Sequence, residues 1–388
     1  MCKNAMLIFG ASSFEHDISI ITSLIVYRNA QHLNYNLIPV YIDKNNDWYI
    51  YTKENLNIDC FKNFSSNFKR MGFCKAYAKN NVNKLFFKKG LLEKSITFDV
   101  ALNCCHGGIG ENGELVSILN NMNIPVSSQN PTSLGVLMDK VYSKYCFKAL
   151  KLPVIKFFVF TQSDALKDFD GILQKAQKLQ YPIILKPAKL GSSIGISVCH
   201  NQEQFKEAIN VALQFDKTIL VEKAILEGMT EYNVAVMRNK DQLIVSGVDK
   251  PTRTDQILSF KDKYIGSKNP TNKTGQKSSK GTSGYLSKKK DFPYPVDEKL
   301  QRTLTNIAQT VYTEFDLCGT VRIDFIVDKN NKVYINEVNS IPGSLGYYFF
   351  IPEHFKSMSS YINALLDSAI YYHKTQNTIN KEFITNLI

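Results

Sequence analysis

The stretch Val321-Arg-Ile-Asp-Phe-Ile-Val-Asp-Lys-Asn-Asn-Lys-Val-Tyr-Ile-Asn-Glu-Val-Asn339 constrains this chain more than any other. Two runs rich in Val, Ile, Phe and Tyr flank Asn330-Asn331, and Asn tolerates the positive φ that a two-residue turn requires. A turn there sets Asp324 opposite Glu337 and Arg322 opposite Asn339. All four then share one face of the hairpin, because alternate residues of a strand point the same way. Phe325, Val327, Val333, Ile335 and Val338 supply an apolar reverse face. Two carboxylates that meet directly repel each other unless a cation lies between them. Asp324, Glu337 and Asn339 offer oxygen ligands only, which suits a hard cation, Mg²⁺ or Mn²⁺. A surface hairpin with solvated charges is the competing reading, and the apolar reverse face argues against it.

The remaining pattern is α/β. Residues 5–10 read as a buried strand, 18–30 as a helix and 37–42 as a second strand, which predicts a parallel, Rossmann-like unit. A strand at 99–103 runs into the Gly-rich turn 106–113, followed by a helix at 115–122 and a strand at 124–127. Helices are expected near 139–150, 164–179, 298–315 and 359–372, and strands at 155–160, 181–187, 194–199, 218–221 and 231–237. The division this suggests is 1–128 for a first domain, 129–217 and 218–375 for two further units, and a tail at 376–388.

Three other features are individually weaker. Gly191-Ser-Ser-Ile-Gly195 follows Lys186-Pro187, and small residues let backbone N–H groups approach phosphate oxygens while a Lys supplies charge. A plain Gly-Ser turn is commoner; the phosphate reading gains weight only beside a metal hairpin. Glu15-His16-Asp17 follows the first strand, where parallel sheets collect ligands. Acids at a helix N-terminus have an equally ordinary explanation in the helix dipole. Lys140 and Lys144 stand one helical turn apart, a spacing that usually marks a solvated face.

The formal charge is +12, from 47 Lys and Arg against 35 Asp and Glu. Nine Lys and one acid between Lys261 and Lys290 account for +8 of it, so the rest of the chain is nearly balanced. That locates the basicity in one Gly/Ser-rich loop and weakens any case for a basic nucleic-acid-binding surface. The loop has no Arg and only Tyr264 and Tyr285 for base stacking. Eight cysteines without a CxxC or a regular framework read as reduced thiols. No apolar run of membrane-spanning length occurs and the N-terminus lacks signal-peptide character, so the sequence predicts a cytoplasmic protein without membrane or nucleic-acid partners.

Taken together, these motifs resemble the D-alanine–D-alanine ligase family of the ATP-grasp superfamily. GASSFEHDIS and HGGIGENGELVSILNNMNIPV match its first two signatures; MDKVYSK, LKPAKLGSSIGIS, VEKAI…TEYNVAV, RIDF and NEVNSIPG follow in the family's order. The resemblance spans residues 5 to 350. It implies an ATP-grasp fold, an N-terminal Rossmann-like domain with two α+β subdomains clamping ATP. It also implies transfer of the ATP γ-phosphoryl to the carboxylate of a first D-alanine and attack on the acyl phosphate by the amine of a second, for peptidoglycan precursors. Asp324, Glu337 and Asn339 would hold two Mg²⁺ or Mn²⁺ ions. Lys140, Lys186, Ser193 and Lys263 would meet the phosphates; Glu222, Lys223 and Ile225 lie on the adenine segment, and Glu231 at the ribose position. Arg322 and the Gly343 N–H would stabilise the oxyanion. Glu15 would accept the first substrate's ammonium, with Ser192 and Tyr264 completing a hydrogen-bonded link to a lid at 261–292, and His106 near the same pocket.

Two departures stand out. The family usually has a small polar residue, often Ser, where Tyr348 falls, at the position that holds the second substrate's carboxylate. D-serine, D-lactate or another amino acid is therefore an alternative acceptor. The Lys-rich lid is also longer than usual. The resemblance further implies a homodimer.

Overall fold

The computed structural model describes residues 2–29, 32–79, 82–251, 292–351 and 353–377. Strand β1 (Lys3–Gly10) leads through helix α1 (His16–Asn29) to β2 (Tyr35–Ile42), and the two strands pair in parallel. Strand β7 (Val100–Asn103) joins β1 in parallel on its other side. Ala5 to Phe9 are fully buried, as a strand covered on both faces requires, and the continuous apolar run follows from that. Four antiparallel strands extend this sheet beyond the expected unit: β3 (Trp48–Tyr51), β4 (Phe73–Ala78), β5 (Lys84–Lys89) and β6 (Leu92–Thr97), in the order β6-β5-β4-β3-β2-β1-β7. Helices α2 (Phe64–Met71) and α3 (Glu114–Asn121) complete the unit. The strand expected at 124–127 is reduced to one parallel bridge, Ala101 to Val126. Pro125 lends only its carbonyl there, to the Ala101 N–H.

Helix α4 (Pro131–Met138) is followed immediately by α5 (Lys140–Ala149). Asp139 separates them: its backbone is extended, and its carboxylate accepts from the N–H groups of Val141 and Tyr142. The helix expected at 164–179 is two helices, α6 (Gln162–Lys167) and α7 (Phe169–Leu179), because Asp168 leaves helical geometry to cap the second. Strands β8 (Phe157–Thr161), β9 (Ile183–Pro187), β10 (Ser197–Cys199) and β11 (Thr218–Lys223), with helix α8 (Gln202–Ala212), form a second sheet in the order β10-β9-β11-β8. Since β11 pairs with β9 and β8, this sheet runs past the 217/218 division suggested by the sequence.

The third sheet holds β12 (Thr230–Asn239), β13 (Gln242–Asp249), β14 (Thr320–Val327) and β15 (Val333–Asn339), in the order β13-β12-β14-β15. Helix α9 (Glu298–Glu314) buries Leu304, Ile307, Ala308 and Val311 against it. The last helix, α10 (Met358–Asn377), ties the N- and C-terminal parts together: Asp367 accepts from Tyr35 at 2.5 Å and the Ser368 hydroxyl from the Lys240 N–H. No helix among the described residues is long and apolar enough to cross a membrane.

The hairpin has the expected pairing at the site but reaches it differently. The β14–β15 loop spans Asp328 to Lys332, and Val327, Ile326 and Phe325 pair with Val333, Tyr334 and Ile335. A β-bulge then restores the register that places Asp324 opposite Glu337 and Arg322 opposite Asn339. The bulge puts both Asn336 and Glu337 on the site face, while Val333, Ile335 and Val338 are buried.

Candidate active site

The site lies where loops from all three sheets converge, and it contains two charge clusters, one buried and one half-buried. On the second sheet, Lys186 of β9 and Glu222 of β11 share a face, and α5 brings Lys144 against them. Lys144 Nζ lies 2.5 Å from Glu222 Oε1 and Lys186 Nζ 2.6 Å from Oε2. Lys144 and Glu222 are 1% exposed and Lys186 is 9% exposed. Burial works to raise the Glu222 carboxyl, but Lys186 and Lys144 outweigh it and hold it below the ordinary carboxylate range. Burial lowers the Lys144 ammonium. With two ammonium groups and one carboxylate, this cluster is net positive. The solvated face expected for Lys144 is thus corrected: the ammonium is a core group.

On the third sheet, Arg322 grips Asp324 through Nε at 2.7 Å and Nη2 at 2.8 Å, and the Asn339 amide donates to the same carboxylate at 3.0 Å. Burial raises the Asp324 carboxyl; Arg322 opposes this and Glu337 adds to it. One guanidinium against two carboxylates leaves this cluster net negative. The halves meet where Lys186 donates to Asn336 Oδ1 at 3.0 Å and where Lys140 Nζ lies 3.8 Å from Glu337 Oε2. Lys140 also donates to the Leu190 carbonyl at 2.5 Å. Positive charge thus faces negative charge across the cleft, the arrangement a polyphosphate with its cation would complete.

The residues fit a divalent cation. Asp324 and Glu337 are like-charged neighbours on one face, and the Asn339 nitrogen is turned to Asp324, which leaves its carbonyl oxygen for coordination. Among the described residues no three His, Cys, Asp or Glu converge on one point. A cation here would therefore draw its remaining ligands from water and phosphate oxygens, as Mg²⁺ commonly does.

A cavity of about 430 Å³ adjoins this cleft, lined by the first loop (Ser12 to Glu15), Gly107 and Gly108, and the Gly-Ser loop (Lys189 to Gly191, with Ile194). The Ser192 hydroxyl donates to Glu15 Oε1, joining the first and second units. Gly107 and Gly191 both press on that carboxylate: a Cβ at either would lie 2.9 Å from Glu15 Oε2. Ser192 and Ser193 both hold left-handed φ values, 52° and 60°, strain of the kind that collects at ligand loops. His106 lies behind this wall, 4% exposed, with Nε2 2.9 Å from Thr22 Oγ1. Burial pushes its imidazole down to about 4.

Sequence reasoning overlooked Glu111. Its Oε1 accepts from the Gly107 N–H and its Oε2 from the Ser340 hydroxyl, bridging the Gly-rich turn and the loop after β15. Burial, then Glu15, raises its carboxyl to about 7. The one available signal was its place in the turn of 106–113.

Beyond β15, Ser344, Leu345 and Gly346 form three successive left-handed residues, with the Tyr361 hydroxyl donating to the Leu345 carbonyl at 2.5 Å. Gly343, just before this turn, is exposed, and a Cβ there would meet nothing within 4 Å. The Tyr348 ring stacks on Phe349 with centroids 4.3 Å apart and meets Phe292 edge-on. Burial raises its phenol, and the Arg322 guanidinium opposes that, so the hydroxyl shares the Arg322 environment. Glu231 stands on β12 and Ile225 on the link between the second and third sheets. The Lys223 ammonium instead donates to the Gln180 and Tyr181 carbonyls. Lys263, Tyr264 and the Lys-rich segment to 291 lie outside the described residues, as does the tail from 378.

Two antiparallel sheets facing each other across a cleft of this charge pattern, beside a partly parallel N-terminal sheet, define an ATP-grasp protein. The D-ala D-ala ligase N-terminus family profile matches residues 4–128 and the D-ala D-ala ligase C-terminus profile residues 146–370. A D-alanine–D-alanine ligase of Thermosipho africanus is 33% identical over 99% of this chain and 98% of its own length. That of Staphylococcus epidermidis is 30% identical, covering 92% and 90%. The fold is shared with the crystal structure of D-alanine–D-alanine ligase from Helicobacter pylori (TM-score 0.70, 22% identity, 94% and 98% covered). It is shared also with VanG D-Ala:D-Ser ligase from Enterococcus faecalis (TM-score 0.75, 23% identity, 95% and 100% covered). This chain belongs to the D-alanine–D-alanine ligase family.

Proposed function

We propose that the protein is an ATP-dependent D-alanine–D-alanine ligase of the cytoplasm, making the dipeptide for peptidoglycan precursors. The observation that carries this reading is the pair of oppositely charged clusters opening beside the Glu15–Ser192 cavity. Two further points support it: full-length relatives bear this activity in their names, and all the charged positions of the cleft are filled.

In this reading Glu15 accepts the ammonium of the first D-alanine, which orients its carboxylate toward the γ-phosphoryl group. Lys140 and Lys186 hold phosphate oxygens, and the N–H groups around Ser192 and Ser193 cover them. Ile225 and the main chain of Glu222 and Lys223 take the adenine edge, and Glu231 the ribose. Asp324, Glu337 and Asn339 would hold Mg²⁺ or Mn²⁺, which would offset the charge of the phosphate groups. Arg322 and the Gly343 N–H stabilise the oxyanion formed when the second amine attacks. His106 acts by positioning Thr22 and the Gly-rich turn. Two ions and a homodimeric assembly complete the proposal.

Tyr348 takes the second substrate's carboxylate through its hydroxyl, and its stacked ring narrows the space for larger acceptors. D-alanine is therefore favoured over D-serine. Purified protein given ATP, Mg²⁺ and D-alanine should release phosphate and form a dipeptide detectable by mass spectrometry. Turnover only with D-serine or D-lactate as acceptor would redirect the assignment.

A further inference from the structure

Lys144 stands outside every role given above, yet it is one of the most deeply buried side chains of the protein. Its helix explains how it comes to be there. Asp139 starts α5 at Lys140, and the Lys140 N–H donates to the Ala188 carbonyl at 2.8 Å, which pins the helix to the end of β9. Val141 packs with Ala188 and Leu220, and one turn after Lys140 the Lys144 chain enters the second sheet. Its ammonium lies 2.5 Å from Glu222 Oε1 and 5.9 Å from the Phe157 ring centroid.

The geometry is a shared carboxylate: Glu222 gives one oxygen to Lys144 and the other to Lys186. Were Lys186 the sole partner of Glu222, the pair would be neutral and Lys186 would reach the cleft with its charge cancelled. Lys144 supplies the cation that neutralises Glu222. Lys186, half turned to Asn336 across the cleft, then keeps an uncompensated charge for a phosphate. A buried carboxylate left with too little positive charge would also draw Lys186 back from the cleft.

We infer that Lys144 is a positioning residue for the nucleotide: by neutralising Glu222 it leaves the Lys186 ammonium electrostatically free to bind the triphosphate. The inference rests on the ligase reading for the identity of the nucleotide. It concerns the phosphates and not the base, and that separates it from a general structural role.

The test compares calorimetric binding of ATP and adenosine to the full chain in the wild-type, Lys144→Gln and Lys144→Gln/Glu222→Gln forms. Glutamine keeps a donor for Glu222 while removing the charge. The ratio of ATP to adenosine affinity should fall about tenfold in Lys144→Gln, the scale of one charge at short range in a partly screened site. It should return to within about threefold of wild type in the double variant, where Lys186 is again uncompensated. The double variant leaves the cluster with one net positive charge, on Lys186, as in the wild type, so it carries the test even if the single variant does not fold. A ratio unchanged in Lys144→Gln, or still about tenfold low in the double variant, would overturn the role. Wild-type protein that binds ATP no better than adenosine would instead sink the ligase reading itself.

Discussion

The two charge clusters of the cleft differ in how they are built. The hairpin cluster comes from residues close in sequence, Arg322 and Asp324 on one strand with Glu337 and Asn339 on the next, so strand alternation within one bulged hairpin assembles it. The lysine cluster gathers Lys144 from a helix and Lys186 and Glu222 from two strands that only the second sheet brings together. One cluster is specified locally and the other by tertiary packing. In the proposed function their opposite net charges serve one ligand, a polyphosphate with its cation.

The sharpest way to break this pairing is to remove the cation side. Glu337→Ala leaves Asp324 and Asn339 without their partner carboxylate, and phosphate release should fall by about a hundredfold or more. Near-normal turnover would contradict the metal assignment. Glu15→Gln tests the adjoining cavity: loss of a charge-assisted hydrogen bond should raise the KM for D-alanine by about ten- to a hundredfold. The KM for ATP should change little.

How far each cluster could be read from sequence follows from that contrast. Asp324 facing Glu337 was legible, but from an Asn330-Asn331 turn that does not form as a two-residue loop; a longer turn and a bulge cancel to the same pairing. The three-residue step from Ile335 to Val338, against the two-residue step before it, already carried the bulge. Lys144 was not legible, because a Lys one turn from another is nearly always solvated and nothing local reveals Glu222 opposite. Likewise β1, buried on both faces, was readable. In contrast, β6 (LEKSIT) lies exposed at a sheet edge and has no apolar pattern to detect.

A third prediction concerns pH. In metal-free protein Glu111 is raised from its ordinary 4.5 to about 7. The folded state therefore holds its proton more tightly than the unfolded chain, and this contribution to stability is lost as pH rises from 4.5 through 7. His106, lowered from 6.5 to about 4, works the other way and loses stability as pH falls through that range. The two slopes offset each other between 4.5 and 6.5. Glu111→Gln removes one of them, so its stability relative to wild type should increase by about 3 kcal/mol from pH 4.5 to 7 in urea unfolding. A pH-independent difference would mean that Glu111 titrates normally.

The smallest effect sharpens the contact between the clusters. Asn336→Ala removes the Lys186 hydrogen bond that joins the two sheets, a loss of about 1 kcal/mol. It should raise the KM for ATP several-fold with kcat nearly unchanged. Equal changes in kcat would place Asn336 in the chemical step.

The most direct measurement of the central claim is a coupled count of products. With ATP, Mg²⁺ and D-alanine, one phosphate should appear for each D-alanyl-D-alanine formed, and neither should appear when D-alanine is withheld. Phosphate release that does not depend on D-alanine, or no dipeptide with saturating substrates, would contradict it.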